Sequence, residues 1–429
     1  GVSSWCVQGR CGWDRCWDAE YRSIADAVVE EGLAKAGYTM VAIDDCWVGG
    51  RDPTTNELYP DPERFPHGIA DLAAYMHSKG LQLSIYTDVT TNPCIHGQYP
   101  REKENVPGSF GFYDLDAATF ARWGVDGVKA DFCHAALPNG SVIDPQVAYP
   151  TFARALNKTG RPIYFEACYD RWLNLSSGKP YPGMPAVWEW IQPYANSYRV
   201  TDDHHDAFGS RTEHSSLALQ IELNANVAEH SRPGAFGDFD FLTTGGQGCV
   251  PSGPPPIDGG PPGGGAPGVR CPNMTAAEYR TAFSIWVLGA SPLIVDADVR
   301  NLSDSQRQIL LHEEMLAVHH DAAAIGGSRV GRGVCGTLGG GVTAGATGCP
   351  TQVWAKRLQG NATAVGLYNG ADSSAFLEFS FGLLGYADPG ATLHVRDVWG
   401  RRDLGPFAAT FRTPATVPAH GTAVLRLTA

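Results

Sequence analysis

No stretch of the 429-residue chain approaches the ~18 consecutive apolar residues of a membrane-spanning helix. Basic residues are in deficit, 32 Lys and Arg against 45 Asp and Glu, and the formal net charge of −13 argues against nucleic-acid or anionic-membrane partners. The chain lacks a GxSxG elbow, which sets aside the commonest serine-hydrolase arrangement. The first strand-like run feeds SSWCVQGRCG, which is not the Gly-rich phosphate turn of a dinucleotide-binding sheet. Eleven cysteines are present but no CxxC pair, so metal-site spacing is missing and disulfides in an oxidising compartment are the better reading.

Six N-x-S/T sequons, at Asn139, Asn157, Asn174, Asn273, Asn301 and Asn361, point the same way, toward N-linked glycans and the secretory route. The expected destination is extracellular or cell wall, lysosome or vacuole. No signal peptide precedes the strand-like GVSSW at 1–5, so a mature or trimmed chain is expected.

Short apolar runs alternate with helical patterns through the first three-quarters of the chain, as βα units of a parallel sheet do. Strand-like runs fall at 1–5, 38–43, 81–86, 125–130, 161–167, 197–200, 236–242 and 291–295. Helical periods lie between them at 20–35, 69–78, 117–123, 146–156, 215–227, 276–288 and 303–311. This predicts a (β/α)8 barrel over 1–325, with a doubly wound open sheet as the alternative. After Ile325 the helical period disappears. Gly-rich turns separate segments such as TQVWAKRL and ATAVGLYN, predicting an antiparallel β-sandwich over 326–429. The Pro/Gly-rich Cys249–Cys271 segment reads as a stapled insertion or a lid.

In a barrel, the C-terminal ends of the strands carry the chemistry. Polar residues recur there: Asp44-Asp45 after strand two, Tyr86-Thr87-Asp88 after three, Lys129 and Asp131 after four, and Glu166 with Cys168 after five. Arg199 with Asp202-Asp203 follows strand six, and Asp238 with Asp240 strand seven. Paired carboxylates across a cleft suit glycoside hydrolysis, one attacking the sugar and one protonating the leaving oxygen. Asp44 and Asp45 suit hydroxyl recognition, and Trp5 and Trp47 offer flat apolar faces to a pyranose. The plain structural alternatives are a helix cap at Asp44 or Asp45, a Lys129–Asp131 ion pair, and scaffold roles for Asp238 and Asp240. A divalent metal is the competing use of the acids. The consecutive His204-His205-Asp206 is poorly arranged for one ion, and no metal or cofactor is expected.

At these residues the chain resembles family 27 of the glycoside hydrolases, the α-galactosidases and α-N-acetylgalactosaminidases. The likeness lies in Ile43-Asp44-Asp45-Cys46-Trp47, PDPERFPHGIADLAAYMHSKGLQLSIYTD (60–88), GSFGFYDLDAATFARWGVDGVKAD (108–131), TAAEYRTAFSIWVLGASPLIVDADVRNLS (275–303) and VRDVWGRRDLG (395–405). The resemblance implies Asp131 as nucleophile in a Lys-x-Asp motif and Asp203 as acid/base in an Arg-x-x-x-Asp motif. It also implies Trp5, Asp44, Asp45, Tyr86, Lys129 and Arg199 as sugar contacts, and a Cys94–Cys133 disulfide beside the nucleophile. Cys249–Cys271 and Cys335–Cys349 are the other preferred pairs. Cys46 with Cys11 and Cys6 with Cys16 are trial pairings, and Cys168 is left free.

The chain departs from the family at strand five, where Cys168-Tyr169-Asp170-Arg171-Trp172 replaces the Cys-Glu-Trp that supplies a carboxylate to O2 and a wall; Trp172 is counted among the substrate contacts. It departs again at Phe236-Gly237-Asp238-Phe239-Asp240 and at Gly1-Val2-Ser3-Ser4-Trp5. The expected activity is a retaining exo-α-galactosidase acting on galactose-terminated glycans or oligosaccharides. The alternatives are α-N-acetylgalactosaminidase, β-L-arabinopyranosidase, or a catalytically retired sugar-binding glycoprotein. Retention requires carboxyl groups about 5–5.5 Å apart.

Overall fold

The structure, a computed structural model, describes residues 1–3, 5, 16–94, 106–169, 183–209, 215–225, 227–244, 274–331, 351–386 and 392–429. Residues 173–174, 179–180 and 334–336 are described for the backbone alone. Trp172, Cys6, Cys11, Asn273, Cys349, the 249–271 segment and the side chains of Asn174 and Cys335 lie outside the described residues.

The chain divides into two compact units, Gly1–Asp206 with Asp240–Asn273 and Leu293–Ser303, and Ala207–Phe239 with Met274–Pro292 and Asp304–Ala429. A seven-stranded parallel sheet dominates the barrel region. Six of its strands belong to the first unit, adjacent in chain order: β1 (Val2–Ser3), β2 (Met40–Ala42), β3 (Gln82–Asp88), β4 (Gly127–Asp131), β5 (Tyr164–Ala167) and β6 (Ser197–Arg199). Phe236–Asp238 (β7) belongs to the second unit. Strand eight is shorter than the sequence predicts. Val295 makes single parallel bridges to Leu242 and to Val2, which returns the sheet to its first strand. Pro292 in that run has no N–H to offer a ladder.

Helices α1 (Asp18–Glu30), α2 (Gly68–Ser78), α3 (Tyr113–Trp123) and α4 (Pro145–Lys158) fill the predicted crossovers. Their limits follow local chemistry. Asp144 caps α4 by accepting from the Gln146 N–H, with Pro145 at the first helical position, and Gly124 ends α3 in the left-handed region at φ 79°. In β4 the strand period of two sends Val128 and Ala130 into the core, each 0% exposed, and leaves Lys129 and Asp131 on the other face. Gly127 opens that face: a Cβ there would meet Met40 Sδ and the Ser84 hydroxyl, each 3.0 Å away.

In the second unit the predicted sandwich is present. A six-stranded antiparallel sheet runs in the order 328–331, 352–357, 363–368, 422–428, 392–397, 402–408, and a three-stranded one in the order 334–336, 376–380, 410–412. Val353, Val365, Leu377, Phe379, Val395, Phe411 and Leu427 form its core. The helix Glu313–His319 and the hairpin 48–51/58–60 were not legible in the sequence.

Two trial cysteine pairings are corrected. Cys46 bonds to Cys16, not Cys11, which also removes the Cys6–Cys16 pairing. Spacing cannot choose among three cysteines that lie five residues apart; the fold brings Cys16 to Cys46 beside the Tyr21 hydroxyl, 3.8 and 3.7 Å from the two sulfurs. Cys94 pairs with Cys133, and Cys168 is in no disulfide among the described residues.

Candidate active site

The ends of strands two to six, with the segments after them, converge on a cleft of about 130 Å³ in the first unit. That is well below the ~300–1,000 Å³ of clefts that take drug-sized ligands. Its lining includes Trp5, Asp44, Asp45, Tyr86, Cys94, Lys129, Asp131, Arg199 and Asp203, all singled out from the sequence. Cys133 stands behind as the partner of Cys94. Cys168, His204, His205, Asp240, Phe241 and Asp296 complete it.

On the floor, each charge is held by a neighbour. Lys129 Nζ lies 2.9 Å from Asp44 Oδ2, with both side chains largely buried. The ion pair therefore goes to Asp44 rather than to Asp131. Asp44 Oδ1 accepts the Asp45 N–H at 2.8 Å, which turns the two acids through a tight corner instead of capping a helix. Lys129 also sits over the rings of Phe241 and Tyr86, 4.9 and 5.5 Å from their centroids. Tyr86 donates its hydroxyl to Asp131 Oδ2 at 2.7 Å, and Cys94 Sγ touches the same oxygen at 3.2 Å. Asp131 Oδ1 is buried with no hydrogen-bond partner among the described residues. Burial pushes the Asp131 carboxyl above the usual range, Lys129, Cys168 and Tyr86 draw it back, and Asp44 adds to the rise.

Toward the mouth the arrangement is built on Arg199, itself 1% exposed. Its guanidinium reaches Asp203 Oδ1 and Asp240 Oδ1, each at 2.9 Å, and the Cys168 sulfur at 3.6 Å. Asp203 is 59% exposed. Desolvation raises its carboxyl, and Arg199 followed by Lys129 more than offsets the rise, leaving it below the ordinary value. Asp240 is buried, sits at φ 76°, and also accepts the His204 N–H at 2.6 Å. His204 Nδ1 pairs with the Phe241 carbonyl at 2.9 Å, and burial lowers this imidazole to about 4.

Trp47 is corrected as a sugar face. It is 0% exposed, donates Nε1–H to the Tyr86 carbonyl at 2.8 Å and packs edge-on to Trp123 and Phe120. Its ring supports the floor from behind. Sequence reasoning gave no role to Asp296, Phe241 or Cys168, and weighed Asp240 as scaffold. The usable signal was their position after barrel strands eight, seven and five.

A parallel barrel with carboxylates gathered at the ends of its strands around one cleft suits glycoside hydrolysis. The comparisons narrow that class. Residues 11–252 match the family model described as alpha galactosidase A, and residues 348–427 the alpha galactosidase C-terminal beta sandwich domain. A probable alpha-galactosidase of Dictyostelium discoideum is 33% identical over 94% of this chain and 86% of its own length. An alpha-galactosidase of Coffea arabica is 31% identical over 93% and 85%. The crystal structure of alpha-galactosidase I from Mortierella vinacea superposes with a TM-score of 0.77 at 26% identity, covering 100% of this chain and 96% of that one. The chain belongs to the alpha-galactosidase family, glycoside hydrolase family 27.

Proposed function

We propose that the protein is a retaining exo-α-galactosidase in which Asp131 is the nucleophile and Asp203 the acid/base. The observation that carries this is the state of Asp131: one oxygen held by Tyr86, the other buried with no hydrogen-bond partner among the described residues, in a cleft where Lys129 pairs with Asp44 and Arg199 with Asp203 and Asp240. In the first step Asp131 forms a bond to the anomeric carbon while the C–O bond to the leaving group breaks, and Asp203 gives that oxygen its proton. In the second, Asp203 takes a proton from water, the water oxygen replaces Asp131 at the anomeric carbon, and galactose leaves with its configuration retained. Asp44, Asp45 and Lys129 are assigned to the sugar hydroxyls, Arg199 and Cys168 to the O2 side, and Trp5 to the apolar ring face. Trp172 is assigned to the leaving-group side.

A second reading, α-N-acetylgalactosaminidase, draws support from the loss of the O2-side glutamate of the family's Cys-Glu-Trp, since Tyr169 follows Cys168 here. Turnover of nitrophenyl α-galactoside, α-N-acetylgalactosaminide and β-L-arabinopyranoside decides: the first is expected to lead in kcat/KM, and preference for either other substrate replaces the reading.

A secretory, N-glycosylated protein outside the cell or in a lysosome or vacuole is part of the proposal. Support comes from two disulfides and from Asn139, Asn157, Asn301 and Asn361, which are all exposed. Enzymatic deglycosylation of the protein from its native source is expected to lower its apparent mass.

A further inference from the structure

Asp88 ends β3 directly opposite Asp131 in the parallel register with β4, and it is 0% exposed. It does not line the cleft. Its two carboxyl oxygens instead fasten two chain segments. Oδ1 accepts the Thr90 N–H at 2.7 Å, at the start of the segment leading to Cys94, and Oδ2 accepts the Cys133 N–H at 2.9 Å. Those segments are joined by the Cys94–Cys133 disulfide. Cys94 in turn touches Asp131 Oδ2 through sulfur and donates its N–H to the Tyr86 hydroxyl at 3.4 Å. A further backbone bond, Val89 N–H to the Asp131 carbonyl at 3.0 Å, closes the same knot.

We propose that Asp88 is a positioning residue for the nucleophile, holding the disulfide wall, Tyr86 and Asp131 as one rigid unit. This rests on the reading of Asp131 as nucleophile. The titratable groups facing Asp88 are Asp131 on β4, Tyr86 on its own strand and Tyr113 on α3. Both phenols are held neutral by burial, so Asp131 is the one that brings charge. Burial first and Asp131 second push the Asp88 carboxyl up to about 7, against the pull of the Thr90 and Cys133 donors. Two carboxyls coupled in this way release their protons as a pair. A fastening role alone would not link Asp88 to catalysis through pH.

The test is Asp88→Asn, whose single amide oxygen can accept from only one of the two N–H groups. The expected result is a kcat lower by about tenfold to a hundredfold with KM within about twofold, the pattern of a displaced reacting group. The inflection of the kcat/KM profile near neutral pH is expected to disappear. An unchanged kcat, or a loss of kcat with the profile keeping its shape, overturns the proposal. Should this variant not fold, carboxyl 13C NMR of aspartate-labelled wild type supplies the answer. A carboxyl titrating near pH 7 is expected, moving to lower pH in Asp131→Asn; no such carboxyl, or one that ignores the substitution, overturns it. Failure of the nucleophile reading shows separately, as Asp131→Asn protein that retains turnover.

Discussion

The floor and the mouth of the cleft are built on different terms. On the floor, Asp44, Lys129, Tyr86 and Asp131 come from the ends of strands two, three and four, are buried or half-buried, and are bonded in pairs, Lys129 to Asp44 at 2.9 Å and Tyr86 to Asp131 at 2.7 Å. At the mouth, Asp203 is 59% exposed and held from one side by an arginine that Asp240 shares. The floor must recognise one invariant sugar, which rewards rigid strand ends. The mouth must exchange a leaving group for water and pass a proton both ways, which requires access to solvent. Nucleophile and acid/base therefore differ less in chemistry than in surroundings.

The sharpest way to break the comparison is at the floor. Asp131→Asn removes the attacking oxygen and is expected to lower kcat by at least about 10³-fold on every substrate, while sugar binding survives. Asp203→Ala should cost about 10²–10⁴-fold on natural galactosides and much less on nitrophenyl galactosides, whose leaving group needs little help from a proton. Equal losses on both would move the acid/base role elsewhere.

Lys129→Ala leaves Asp44 buried without its cation. A stability loss of about 3–5 kcal/mol by denaturant titration is expected, together with a raised KM. Asp240→Asn keeps the shape but releases part of the grip on Arg199, with roughly a tenfold loss in kcat/KM expected. The smallest effect concerns pH. Asp131 must be ionised and its carboxyl is raised, so activity falls as pH drops through that value; Asp203 must be protonated and its carboxyl is lowered, so activity falls as pH rises through it. The kcat/KM profile should be a narrow bell. A broad neutral plateau would mean that neither shift persists in solution.

The sequence carried the floor better than the mouth, for a physical reason. Strand period and strand ends place Asp44, Asp45, Tyr86, Lys129 and Asp131 within a few residues of an apolar run, so pattern alone finds them. Trp47 misled because a flat ring near a catalytic strand looks the same whether it faces the sugar or supports the strand from behind. Asp240 stayed ambiguous because its partners, Arg199 and the His204 N–H, lie about 40 residues away, and no local pattern encodes such a meeting. The Cys16–Cys46 pairing was hidden for the same reason. Barrel and sandwich were legible because alternation and helical period are local; the single-bridge eighth strand was not, since its length depends on what it meets.

Asp240 has a backbone consequence. A non-glycine residue at φ 76° carries a penalty of roughly 1–2 kcal/mol that glycine would not. Glycine at position 240 would relieve that strain, but it would leave the buried Arg199 without one carboxylate and the His204 N–H without its acceptor, a loss of about 3–5 kcal/mol that outweighs the gain. A directed-evolution campaign on this scaffold that screens heat resistance without turnover is therefore expected to keep Asp240, so that selection for stability alone preserves the mouth of the site.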